Sequence, residues 1–396
     1  MAVPSQSRDI SPEETLLAFR CHGMQLEGLR YPITPIGMHY LLIHFDIPAL
    51  AAEGYRLRVG GCVREPLELD LADITGRPAV TQPVTMECAG NGRSYLSPRP
   101  IYVPWFHEAI GTAEWTGTPL RSVLEQAGLT DDAREVLFTG WDRGVYAGVE
   151  HTFARSLPLE EALREEVLLA WQINGLPLPP QHGYPLRLVV PGWYGMVSVK
   201  WLRSIEVLDH SFSGAEQAIS YRVKVSDADP GYPVTRQTVR ALLVPPGIPD
   251  LMSRERFLFP GEHEVVGCAW SGAAPVTRVE VSDDGGESWQ DAELGEAPGR
   301  YAWTPWRFTW RVPRPGRYEL CPRATDADGN TQPLDQTTTW NYQGHASNQV
   351  QRVTVTARSG SPDPVEDLAL RARHLTLLPP DGAALDQQEN PQPQTP

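Results

Sequence analysis

Proline and glycine interrupt this chain so often that a helical bundle is out of reach. There are 38 Pro and 34 Gly among 396 residues. An internal Pro removes a helical hydrogen bond, and an internal Gly costs about 1 kcal/mol against Ala. Between the breaks, apolar and polar residues alternate as they do in half-buried strands. The chain reads as α+β, rich in strands and loops, and too long for one simple core.

Residues 1–30 read as a surface N-terminal extension with one short helix, Glu13–Phe19. Residues 31–215 read as a mixed α/β domain. Its clearest helix is signalled by Thr118 as N-cap, Pro119 at the first helical position and Gly128 after the last turn. Leu120, Val123, Leu124 and Ala127 fall on one face between them. A second short helix is expected in Leu159–Arg164, and strands in Pro185–Pro191 and Val199–Val207. Residues 216–256 show little periodicity and read as a linker. From 257 to 358 strand-like runs such as HEVVGCAW, VTRVEVS and RYELCPRATD alternate with turns such as Asp283-Asp284-Gly285-Gly286. That spacing predicts an immunoglobulin-like β-sandwich. The tail 359–396, rich in Pro, Gln, Asp and Glu, is expected to be largely disordered.

A formal charge of −15 argues against nucleic-acid binding. Five cysteines (Cys21, Cys62, Cys88, Cys268, Cys321) show no C-x-x-C pair and no zinc-ligand spacing, and they indicate no disulfide framework. No apolar run is long enough for a bilayer, and residues 1–14 carry no signal-peptide pattern. The expectation is a soluble cytoplasmic protein.

The segment Val84–Trp105, VTMECAGNGRSYLSPRPIYVPW, carries the chemistry. A strand-like approach ends at Cys88 and runs into Ala89, Gly90, Asn91 and Gly92. Small residues let backbone amides approach an anionic ligand. Arg93 adds a permanent charge that favours thiolate, the metal-binding form. Alone, a buried cysteine is more commonly a small hydrophobe.

ECAGNGRSYL, Pro104-Trp105, GTAEWTGTPLRSVLEQAGL, VLFTGWD, RSLPLEEAL and INGLPLPPQHGYPLRLVVPG resemble, in order, the cofactor domain of the sulfite oxidase family. WSG, DDGGESW and RATDADGN resemble its dimerisation domain, so the likeness spans about residues 30–357. It implies a molybdenum–molybdopterin (pyranopterin) cofactor, with Cys88 as metal ligand and catalytic residue. His44, Asn91, Asp142, His182, Arg187, Ser198 and Lys200 are implied cofactor contacts: cations for the phosphate, and the Asp142 carboxylate for the donor-rich ring. Arg93 and Tyr221 are implied on the catalytic, substrate side, with Trp105 as a pocket wall.

Two departures stand out. Leu42 occupies a position where the family usually has arginine, and Gln343 replaces another in WNYQ. Each lost charge-assisted contact is worth about 1.5–3 kcal/mol to a bound oxyanion. The resemblance implies oxidation of a small oxyanion such as sulfite and a homodimer joined through the sandwich. No haem-binding motif is present, so electrons are expected to pass to a separate acceptor, oxygen or a cytochrome. The alternatives are a molybdenum-dependent reductase of a sulfoxide, nitrate or other oxo compound, and a non-catalytic assembly protein.

Overall fold

The computed structural model describes residues 4–5, 9–146 and 148–360. The tail expected to be disordered thus falls almost wholly outside the described residues. Strands dominate the fold, and the alternation that predicted them is the one the structure buries. In Thr304–Val312, Trp306, Phe308, Trp310 and Val312 face inward while the residues between them are exposed.

The first half contains two five-stranded sheets. In one, the path runs Leu176–Pro177, Leu168–Ile173, Ile110–Pro119, Val80–Glu87, and Arg187–Val189 also pairs with Leu168–Ile173. The other runs Leu67–Leu69, Leu57–Gly61, Leu202–Leu208, Glu135–Tyr146, Val149–Pro158. The helix Leu120–Ala127 buries Leu120, Val123, Leu124 and Ala127 against this core. Its start differs from expectation. The strand Ile110–Pro119 continues to the helix, so Pro119 is the N-cap, and Thr118 instead donates its hydroxyl to Ile74 O at 2.9 Å. The second helix is shorter than expected, Leu159–Ala162.

The second half is a sandwich of a four-stranded and a six-stranded sheet sharing one apolar core. Close approach there needs glycine: Gly267 sits opposite Trp306, and a Cβ would collide with the indole. The expected linker contains part of this unit, because Arg240–Leu243 pairs with Gly261–Trp270. Its four residues are all buried, a run too short to announce itself by alternation.

The N-terminal extension is likewise not a surface lead-in. The helix Pro12–Ala18 begins with a Ser11–Glu14 capping box. Glu14 is buried and accepts from Arg99 Nη2 at 2.9 Å. Met24 and Leu29 pack with Trp270 and Trp303 of the sandwich.

The halves are tied at the strand that leads to Cys88. Thr85 N donates to Tyr301 O at 2.8 Å, and Trp303 N donates to Thr85 Oγ1 at 2.7 Å. Glu87, fully buried, accepts from Trp270 Nε1 at 2.9 Å and lies 3.2 Å from Arg240 Nε. Two elements of the sandwich therefore hold the residue next to Cys88.

Candidate active site

Strand Val80–Glu87 ends at Cys88, and the chain turns back through Gly90 and Gly92. Gly92 has φ of 86°, a left-handed conformation that suits glycine. Gly90 is required for another reason: a Cβ there would strike the Arg93 guanidinium. The turn thus lays Arg93 across its own backbone, near the thiol.

Cys88 lines a cavity of about 620 Å³ together with His39, His44, Asp142, His182, Arg187, Ser198, Lys200 and Tyr221. Gly90 N lies 3.5 Å from Cys88 Sγ. Burial pushes the thiol up to about 11, although Arg93 pulls the other way. The charge expected to favour thiolate is thus outweighed by desolvation.

Among the described residues the cations of this cavity hydrogen-bond only to neutral groups, although Lys200 and Asp142 attract each other. Arg187 donates to the carbonyls of His182 and Ser198, each at 3.0 Å, and stacks 4.6 Å from the Trp115 ring. Lys200 Nζ donates to Leu42 O at 2.8 Å and Gln181 O at 3.3 Å. Burial holds Lys200 below, and Asp142 above, their ordinary ranges. Asp142 Oδ1 and His39 Nε2 are buried with no hydrogen-bond partner. Burial pushes His39 down to about 4 and His44 down to about 3, and it lowers His182 as well, so these rings are neutral near pH 7.

Unpaired buried polar atoms cost about 1–3 kcal/mol each unless a ligand satisfies them. A pyranopterin with a phosphate arm supplies what is missing: ring N–H donors for the Asp142 carboxylate and an anion for Arg187 and Lys200. The residues present fit that group. His39 was not singled out from the sequence, although it stands in the same HYLLIH run as His44.

Two of the expected residues lie elsewhere. Asn91 is spent on the protein: Nδ2 donates to Glu87 at 3.0 Å and Oδ1 accepts from Ala109 N at 3.1 Å. It positions the turn and does not line the cavity. Trp105 packs with Cys88 in the core but faces a separate groove with Phe106 and His107. The loop that follows it folds over the turn, where Gly92 N donates to Phe106 O and Ser94 N to Trp105 O. Ser198 does line the cavity, with its hydroxyl accepting from Val190 N at 3.1 Å.

A second cavity of about 860 Å³ shares His44 and Tyr221 with the first. It is lined also by Arg93, Tyr102, Glu216, Gln343 and His345. Tyr221 marks the junction: its hydroxyl lies 2.6 Å from His44 Nε2, and its ring stacks on His345 at 5.1 Å. Its φ of 49° is a strained, left-handed value for a tyrosine. Arg93 donates from Nε to Gln343 O at 3.0 Å and from Nη1 to Val103 O at 3.1 Å. Gln343, where the family arginine is missing, turns its side chain to Ile219 O and Arg222 N.

The description "oxidoreductase molybdopterin binding domain" fits residues 44–216, and "Mo-co oxidoreductase dimerisation domain" fits residues 236–358. Over 328 residues the chain is 36% identical to sulfite oxidase of Gallus gallus, covering 79% of this chain and 70% of that protein. It belongs to the sulfite oxidase family of molybdopterin-dependent oxidoreductases. A family member of this kind is an enzyme, which sets aside the non-catalytic assembly reading. The sulfite oxidase fold is shared with the sulfane dehydrogenase SoxCD of Paracoccus pantotrophus, with a TM-score of 0.73, 25% identity, and coverage of 91% of this chain and 90% of that one. Nitrate reductase [NADH] of Ulva prolifera is 30% identical over 352 residues, covering 81% of this chain but 40% of its own length.

Proposed function

We propose that the chain oxidises sulfite to sulfate at a molybdenum–pyranopterin bound through Cys88, and that electrons leave to a separate acceptor, oxygen or a cytochrome. In the balanced reaction sulfite gains an oxygen atom derived from water and releases two protons and two electrons. The observation that carries this reading is the meeting of two cavities at Tyr221, with the thiol in one and the Arg93 guanidinium in the other.

When bound, the cofactor supplies two-electron oxygen-atom transfer. The chain supplies position and charge. Asp142 would accept from the pterin ring, Arg187, Lys200, His182 and Ser198 would hold its phosphate arm, and Cys88 would supply the protein thiolate to the metal. In the second cavity Arg93 keeps Nη2 free of hydrogen bonds among the described residues, and this nitrogen receives a substrate oxygen. Tyr221 offers its phenol at the junction, held by His44. The sandwich joins two such chains as a homodimer.

The test is molybdenum analysis of purified protein combined with sulfite-dependent reduction of ferricyanide. Bound molybdenum with a sulfite-dependent rate supports the reading, and bound molybdenum without that rate overturns the substrate. A second reading, reduction of an oxo compound such as nitrate or a sulfoxide, draws on the Ulva similarity and on Leu42 and Gln343 in place of arginines. Viologen-driven turnover of nitrate or a sulfoxide, without a sulfite rate, would favour it.

A further inference from the structure

Arg155 lies on strand Val149–Pro158, opposite Phe138, and is 1% exposed. Burial pulls its guanidinium down to about 10, still charged at neutral pH. Among the described residues no carboxylate forms an ion pair or hydrogen bond with it. Nη1 donates to the backbone carbonyl of Glu216, and Nε is buried without a partner. The Glu216 carboxylate, which also lines the second cavity, is bound to His151 Nε2 at 2.5 Å and attracts the Arg155 guanidinium only from beyond ion-pair distance. What faces the guanidinium instead is the ring of Tyr221, 5.5 Å from its centre.

A desolvated cation whose close contacts are a carbonyl and an aromatic face, with the nearby carboxylate already engaged by His151, is costly in a role that is purely structural. It makes sense where it holds a neighbouring group in place and biases the charge of an adjoining pocket. Tyr221 is that group, since it joins both cavities and is held in a strained backbone conformation. A cation on the ring stabilises one orientation of it, with the phenol directed at His44.

We propose that Arg155 is a positioning residue for the oxyanion: acting through Tyr221, it keeps the second cavity positive and the phenol aimed at the junction. With Arg93 it gives the pocket two buried guanidinium groups, one that touches the substrate and one that stands behind the tyrosine. The substrate class is a small, compact oxoanion. This rests on the proposed function only for the identity of the substrate, because anion binding can be read without turnover.

The experiment compares holoenzyme carrying Arg155→Lys, Arg155→Gln and Arg155→Met with the wild type. Inorganic sulfate is titrated calorimetrically, and sulfite kinetics are split into KM and kcat. Loss of the charge should weaken sulfate and raise KM about tenfold, one lost charge-assisted interaction, with kcat changed less than about threefold and molybdenum content unchanged. Lysine should recover most of the binding. Unchanged sulfate affinity in Gln and Met variants overturns the proposal, as does lysine behaving like glutamine. So does joint loss of fold and cofactor in all three, which would mark Arg155 as structural. If the wild type has no sulfite rate but binds sulfate through Arg155, the sulfite reading fails and this one stands.

Discussion

The cavity around Cys88 gathers Lys200, Arg187 and Asp142 with no ion pair among the described residues, whereas in the cavity beyond Tyr221 the Glu216 carboxylate is already bound to His151. In the first, Lys200 and Arg187 donate only to carbonyls and a thioether, Asp142 Oδ1 accepts no hydrogen bond among the described residues, and Lys200 and Asp142 attract each other only from beyond ion-pair distance. In the second, Arg93 likewise meets carbonyls and keeps one nitrogen free, but the Glu216 carboxylate is bound to His151 and the Gln343 amide is hydrogen-bonded at both ends. A site incomplete without a charged ligand suits a group held permanently. A site that tolerates being empty suits a substrate that comes and goes.

The comparison breaks most completely at Cys88. Cys88→Ser should retain pterin, because the cations and Asp142 are untouched, while turnover falls below detection. Pterin released per chain and the sulfite-dependent rate check both halves, and wild-type turnover would contradict the assignment. Next comes Lys200→Met. Bound pterin should fall about tenfold or more for the lost charge-assisted contact. The cofactor-free protein should change little in stability to urea, since relief from burying a cation offsets its lost attraction to Asp142.

The second cavity is sharpened by addition. Gln343→Arg should lower KM for sulfite by about tenfold, within the range of one charged hydrogen bond. Because the present side chain holds Ile219 O and Arg222 N, a modest loss of stability should accompany it. The smallest effect is electrostatic and lies at the rim. Burial opposes protonation of His151, but the Glu216 carboxylate outweighs this and raises its folded pKa above the ordinary 6.5. Protonated His151 therefore contributes stability that is full below about pH 6.5 and is lost as pH rises through the folded value. In urea unfolding, His151→Ala should flatten that decline by less than about 1 kcal/mol, the scale of a partly exposed pair.

The turn from Cys88 to Arg93 was legible because one short segment carries the thiol, the small residues and the charge. Sheet order was not, yet alternation in Thr304–Val312 and the turns around it declared a sandwich. Misplacements arose where tertiary closure decides. Trp105 is near the turn in sequence, but the loop after Val103 folds across the turn and carries the indole to another face. Asn91 has the right chemistry for a ligand, yet Glu87 and Ala109 N claim it first. Arg155, Tyr221 and His345 converge from far apart in the chain, and nothing local in ARSLP or QGHAS announces their meeting. Arg240–Leu243 was hidden in an aperiodic stretch because all its residues are buried.

The central claim is a single protein thiolate, Cys88, bound to molybdenum. Molybdenum-edge X-ray absorption on wild type and Cys88→Ser, both carrying pterin, tests it directly. One molybdenum per chain and one sulfur neighbour fewer in the variant are expected; an identical sulfur count in the two proteins would show that Cys88 is not a ligand.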